Sequence, residues 1–253
     1  MSWEWRCFFN VDISKVANDT ELETIWKDQL CTLFFLGKST KSNHKITFVD
    51  DPQRTDLYAN LHEADYGLKC RGVSKNQKSQ DIPYEVEIKV REKTITGGIE
   101  KYTKYVLEHQ TMYNRQSPRT SIDFLSLLLP APKSHNQKNH HDVPPNDVLD
   151  TVSSILKTLE HKNEIVIACT KKRILASCHG VDNEDSTVEL TKCTFTQNHT
   201  DTSSWWSIAI SSNNKSHVID FAKITSDVVL NNYTLGTVYC QGYPEFLFCF
   251  MTV

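Results

Sequence analysis

Apolar and polar residues alternate with a period of two along much of this chain, the pattern of strands that bury one face. The segment "WEWRCFF", residues 3–9, sets Trp3, Trp5 and Cys7 on one side and Glu4, Arg6 and Phe8 on the other. In "YEVEIKVRE", residues 84–92, Tyr84, Val86, Ile88 and Val90 oppose Glu85, Glu87, Lys89 and Arg91. Further strands are predicted at "TDLYANL", "GLKCRG", "EIVIACTKKRILA", "TVELTKCTF" and "SWWSIAIS", whose apolar members are largely aromatic or β-branched. "PEFLFCFMTV", introduced by "QGY", reads as a last apolar strand.

A helical period replaces the alternation in several places. "NDTELETIWKDQLCTLFF" spaces Leu22, Ile25, Trp26, Leu30 and Leu33 behind the capping residues Asp19 and Thr20. "GGIEKYTKYVLEHQ" reads as a helix after a glycine pair, and "SIDFLSLLL" as a turn of helix or a short strand. "NDVLDTVSSILKTLEHK" collects Val148, Val152, Ile155, Leu156 and Leu159 on one face, and "SHVIDFAKITSDVVL" is also helical. Residues 131–147, "APKSHNQKNHHDVPPND", are polar and proline-bearing and form the expected flexible loop of a single domain spanning 1–253. The order of elements is α+β, with antiparallel sheet as the largest component.

The polar faces of the strands carry the chemistry. Glu4 and Arg6 share a face of the first strand, Lys69 and Arg71 of "GLKCRG", and Lys171 and Arg173 of "IACTKKRILA". Glu85, Glu87, Lys89 and Arg91 repeat the i, i+2 spacing. Trp3, Trp5, Leu68, Val86, Ile88 and Val90 lie on the reverse, so helices packed there leave the charges facing solvent or a wet interior. If the sheet closes, the cations converge. Two unit charges about 4 Å apart at an effective dielectric near 20 interact by roughly 4 kcal/mol, so such a ring needs phosphate or interleaved carboxylates to balance it. Arginine forks and lysine point charges both suit phosphate oxygens.

Bulk composition narrows the classes. Charged residues make up 23% and the formal net charge is -3, so no basic tail for nucleic acid and no acidic tail stands out. The eight cysteines show no metal-knuckle spacing and are expected to be free thiols. "MSWEWRCFF" lacks the pattern of a signal peptide, and no apolar stretch approaches the length of a membrane span, so a cytoplasmic or nuclear protein without a membrane partner is expected. There is no nucleophile elbow, no triad signature and no phosphate-binding glycine loop.

The alternating Glu and Lys of these strands resemble the CYTH superfamily of triphosphate tunnel enzymes. "GLKCRG" is similar to that family's Leu-Arg-x-Arg strand, "YEVEIKVRE" to the charged strand after it, and "IACTKKRILA" to the Lys-x-Arg strand of its second half. The resemblance implies a closed antiparallel β-barrel, a tunnel, with helices packed on the outside. It also implies a polyphosphate-type anion held by Arg6, Lys69, Arg71, Lys89, Arg91, Lys171 and Arg173. Mg²⁺ or Mn²⁺ would be held by Glu4, Glu87 and Glu189, with Glu4, Glu85 and Glu87 as the catalytic acids of metal-assisted phosphohydrolysis. The chain departs from the family in two places. Its first strand reads Ser2, Glu4, Arg6 where the family has Glu, Glu, Lys, and its late strand carries Ser207, Ala209 and Ser211 in place of an acid pair. The alternatives are a non-catalytic scaffold for a phosphorylated small molecule or an RNA 5′ end, and a protein-interaction barrel.

Overall fold

The computed structural model of the chain describes residues 2–11, 20–28 apart from 22 and 25, 46–72, 84–110, 121–128, 144–160, 166–179, 185–197, 201–232 and 235–251. Its strands are β1 (Ser2–Val11), β2 (Ile46–Ala59), β3 (Tyr66–Gly72), β4 (Tyr84–Ile95), β5 (Ile99–Gln110), β6 (Val166–His179), β7 (Asp185–Gln197), β8 (Asp201–Ser212) and β9 (Leu235–Tyr239). The helices are α1 (Ser121–Leu128), α2 (Asn146–Thr158), α3 (Lys215–Asn232) and α4 (Tyr243–Met251), and described residues within 20–28 are helical too. The strands form one antiparallel sheet in the order β5-β4-β3-β2-β6-β7-β8-β1-β9. A further pairing of β5 with β1 closes eight of them into a barrel, as the charged inner faces require.

β1 is the closing strand. Along one edge Ser2 to Trp5 pair with Tyr102 to Ile99 of β5, and further on Phe8, Phe9 and Val11 pair with β9. Its other edge pairs with β8 from Trp3 to Phe9, so both edges are used and neither is a template for aggregation.

Apolar residues form two outer shells and one inner plug. Trp5, Cys7, Phe9, Ile174, Val188, Leu190, Ile208 and Ile210 pack outside the barrel against Trp26 and against Val218 and Phe221 of α3. Leu68, Cys70, Val86 and Ile88 do the same beneath Phe124 and Leu127 of α1 and Val152 and Leu156 of α2. The third cluster lies inside: Phe8, Tyr58, Cys169, Cys193, Phe195 and Trp205 surround Tyr243, Phe246 and Leu247 of α4. Phe8 lies between the rings of α4, stacked on Phe246 at 3.9 Å and edge-on to Tyr243 at 5.0 Å. One end of the interior is therefore an aromatic floor and the other is ionic.

Two elements differ from the sequence pattern. "GGIEKYTKYVLEHQ" is strand β5 and not a helix. Gly97 and Gly98, at φ 85° and 72°, make the turn of the β4–β5 hairpin. A side chain on Gly98 would collide with the Cys240 carbonyl oxygen, so the turn also needs glycine for close approach. "PEFLFCFM", the described part of the expected last strand, lies in helix α4 and not in a strand. Short continuous apolar runs do not distinguish the two periods. Pro244 suits the first turn of a helix, the Phe246 N–H donates to the Gly242 carbonyl at 2.9 Å, and Tyr243, Phe246 and Leu247 then share one face.

"SIDFLSLLL" resolves as helix α1, and "TDLYANL" is the end of the longer β2. Of the loop expected at 131–147, residues 131–143 lie outside the described residues, as do Leu22, Ile25, Leu30 and Leu33 of the first expected helix. Cys7, Cys70, Cys169, Cys193, Cys240 and Cys249 are free thiols. No helix among the described residues is long and apolar enough to cross a membrane.

Candidate functional site

Strand alternation delivers the ionic residues to the barrel interior, where they line a cavity of about 230 Å³. Arg6, Arg54, Lys69, Arg71, Lys89, Lys104, Lys171 and Arg173 contribute cations, and Glu4, Glu63, Glu87 and Glu189 contribute carboxylates. Of the residues expected from the sequence, Glu4, Arg6, Lys69, Arg71, Glu87, Lys89, Lys171, Arg173 and Glu189 are thus brought together. Glu85 and Arg91 are not among the lining residues. Glu85 lies beside Arg71 at 3.4 Å, while Arg91 bonds Asp65, Glu100 and Glu245 at 2.6 to 2.8 Å and so ties α4 to β4 and β5.

The register explains the pairings. Lys69 of β3 stands opposite Glu87 of β4 and closes a 2.7 Å ion pair with it. Glu87 also meets Lys104 at 2.8 Å and Arg71 at 3.4 Å. Glu4 holds Lys89 at 2.7 Å and Arg6 at 3.3 Å. Glu189 takes Arg6 at 2.9 Å, Arg173 at 3.2 Å and the Thr191 hydroxyl at 2.7 Å. Burial alone would raise the pKa of each of these carboxyls. The cations outweigh it: Lys89 and Arg6 hold Glu4 below its ordinary value, Lys69 and Lys104 hold Glu87 well below, and Arg6 and Arg173 do the same for Glu189.

Asp56 went unnoticed in the sequence, although Arg54, Asp56 and Tyr58 share the i, i+2 spacing that flagged the other strands. It is fully buried, 3.2 Å from Lys171, 3.3 Å from Arg54 and 3.8 Å from Arg71. Neither of its oxygens, nor Nε of Arg54 or Arg71, has a hydrogen-bond partner of good geometry. Charge and not hydrogen bonding holds this group, and Lys171 donates instead to the Tyr58 hydroxyl. The floor continues the theme. Tyr243 stacks on Tyr58 at 5.3 Å, with Lys171 at 3.9 Å and Arg6 at 4.6 Å from its ring centroid. The helical reading of β5 makes Lys104 a solvated lysine and passes over Tyr102, and Tyr243 reads as core packing; all three line the cavity.

Lys69 titrates nearer neutrality than an ordinary lysine. Burial, with Arg71 and Lys171 nearby, pushes its ammonium down to about 8 despite the opposing pull of Glu87. Rising pH through that value removes a positive charge from the cavity. A polyanion drawn to these cations, tripolyphosphate as the probe, would be held less tightly as pH rises from about 7 to about 9, and Lys69→Arg would flatten the fall because a guanidinium stays charged throughout. Calorimetric titration of both proteins across this range checks it; parallel profiles would remove Lys69 as the cause.

The carboxylates do not fit a divalent ion as they are arranged. Among the described residues no three His, Cys, Asp or Glu side chains converge as a metal site. Glu4, Glu87 and Glu189, the expected ligands, are each committed to lysine or arginine.

No family model matches this chain, and no curated protein does. Among solved structures, the Hippeastrum protein HpAC1, described with a dominant triphosphatase activity, is 12% identical over 90% of this chain and 87% of its own, with a TM-score of 0.43. The S. pombe RNA triphosphatase Pct1 is 10% identical over 99% of this chain and 80% of its own at a TM-score of 0.30. In complex with the Spt5 CTD it gives 8%, 99%, 80% and 0.29. Similarity at this level assigns the chain neither a family nor a function, and a functional reading rests on its own ionic cavity.

Proposed function

We propose that this chain binds a polyphosphate-type anion inside the barrel, with a triphosphate group as the unit recognised. The observation that carries the reading is the charge of the cavity wall, where eight lysines and arginines face four carboxylates. Glu87 is shared by Lys69, Arg71 and Lys104, and Asp56 by Arg54, Arg71 and Lys171; with Asp51 beside Arg173 and Glu85 beside Arg71 also counted, the cations still outnumber the acids by one. A chain of phosphates supplies the remaining negative charge, and its oxygens accept from the Arg54 and Arg71 forks and the Lys69, Lys89 and Lys104 ammonium groups. The cavity, at about 230 Å³, is smaller than pockets that enclose a drug-sized molecule, roughly 300–1,000 Å³. That suits inorganic polyphosphate, or the triphosphate end of a larger phosphorylated molecule such as an RNA whose body stays outside. Because every expected acid is already paired, binding without turnover is the activity supported.

Isothermal titration with tripolyphosphate tests this. At one hundred times its dissociation constant the ligand should add about 2.7 kcal/mol to stability. Arg71→Ala should weaken binding about tenfold or more, while Lys101→Ala, which removes only the partner of Glu92 away from the cavity, should not. The absence of both binding heat and a thermal shift at millimolar ligand, or equal losses in the two variants, would end the proposal.

A further inference from the structure

Arg6 occupies a position of unusual chemistry. Across β7, β8 and β1, Glu189 stands opposite Ala209, and Ala209 opposite Arg6; Glu4 stands opposite Ser211. The small side chains of β8 leave Glu189 and Glu4 on either side of one gap. The Arg6 guanidinium fills it: Nε is 3.3 Å from Glu4 Oε1, Nη1 is 2.9 Å from Glu189 Oε1, and Nη1 donates to Ser207 Oγ at 3.0 Å. Two carboxylates and a hydroxyl around one cation are what a hard divalent ion would ask for, and a fixed organic cation supplies the charge instead.

All the carboxylate oxygens around the gap are taken. Glu4 Oε2 faces Lys89 Nζ at 2.7 Å, and Glu189 Oε2 faces Arg173 Nη1 at 3.2 Å. Glu87, the third acid, gives Oε1 to Lys69 at 2.7 Å and Oε2 to Lys104 at 2.8 Å. A divalent ion entering here would have to displace a guanidinium held by buried ion pairs, and would meet like charge from every side. A guanidinium also stays protonated at all working pH values, so its charge does not depend on ion supply.

From this geometry we infer that Arg6 takes the place of a metal, and that the ligand recognised is the free polyanion and not its magnesium complex. This rests on the anion-binding reading above, and specifies the ionic form of the ligand. Free tripolyphosphate keeps all its oxygens for the lysines and arginines, whereas magnesium occupies some of them and lowers the net charge the cavity attracts.

Two measurements on the wild-type protein decide it. Titrated with tripolyphosphate in EDTA and again in excess Mg²⁺, the protein should bind at least as tightly in EDTA, and Mg²⁺ should weaken binding about tenfold by sequestering the ligand. Binding that appears only with Mg²⁺ or Mn²⁺, or that either ion tightens tenfold, overturns the inference and leaves the anion cavity standing. Absence of binding in both buffers removes the cavity's function and the inference with it. In the second, electron paramagnetic resonance of Mn²⁺ mixed with ligand-free protein should show only free ion. A stoichiometric bound signal overturns the inference. Arg6→Ser, checked for folding by circular dichroism, should gain one bound Mn²⁺ between Glu4 and Glu189; a folded variant that gains none shows that Arg6 is not what occupies those acids.

Discussion

Phe246→Ala should lower stability by about 3–5 kcal/mol, the range for emptying a fully buried aromatic position. Phe246 is completely buried, and its ring meets Phe8 at 3.9 Å, Trp205 at 5.3 Å, Phe195 at 5.5 Å and Tyr239 at 5.8 Å. Those partners come from β1, β8, β7 and β9, so one truncation loosens the floor from four strands at once. The barrel wall cannot collapse to fill the space, because its strands are fixed by their ladders and by helices on the outside. Urea denaturation monitored by tryptophan fluorescence gives the loss directly. A shift under about 1 kcal/mol would mean that α4 is not held inside the barrel.

Asp56→Asn should be as damaging for a different reason. The side chain keeps its shape and loses its charge, leaving Lys171, Arg54 and Arg71 around an uncharged amide in a buried site. Breaking a buried ion pair from one side costs about 3–5 kcal/mol, since the remaining charges stay desolvated and uncompensated. Burial works to raise the pKa of Asp56, yet Lys171, Lys69 and Arg54 together hold it below the ordinary value, which is the same attraction seen from the acid's side. Tripolyphosphate would return negative charge to the cluster, so it should stabilise Asp56→Asn by more than it stabilises the wild type. Thermal melts with and without ligand measure both effects. A variant as stable as wild type in the absence of ligand would show that the cations do not depend on Asp56.

The two experiments address opposite ends of one interior, and the sequence revealed those ends unequally. Glu4 and Arg6, Lys69 and Arg71, Glu87 and Lys89, and Lys171 and Arg173 were legible because a strand sends residues i and i+2 to the same side, and charge repeated at that spacing on several strands implies a shared space. Asp56 obeyed the same rule beside Arg54 in "RTDLY", but nothing local marked the arrival of Arg71 from β3 and Lys171 from β6. Lys104 was set aside as a solvated lysine, and Tyr102 passed over, when a glycine pair was read as a helix start. Arg91 shares the inward face of β4 but lies just past the last residue paired with β3, at a register shift against β5, where Asp65, Glu100 and Glu245 are in reach and the cavity is not.

By itself the amino-acid order determined which face of β1, β3, β4, β6 and β7 would be apolar and which ionic, and that helices must cover the apolar side. Those are local consequences of a two-residue period and of the cost of leaving apolar surface in water. Tertiary structure alone decided that "PEFLFCFM" turns into a helix and enters the barrel, that Arg6 bridges Glu4 and Glu189, and that Asp56 gathers three cations. Each depends on groups distant in sequence meeting at low dielectric, where the sum of burial and charge can be evaluated only once all the partners are in place.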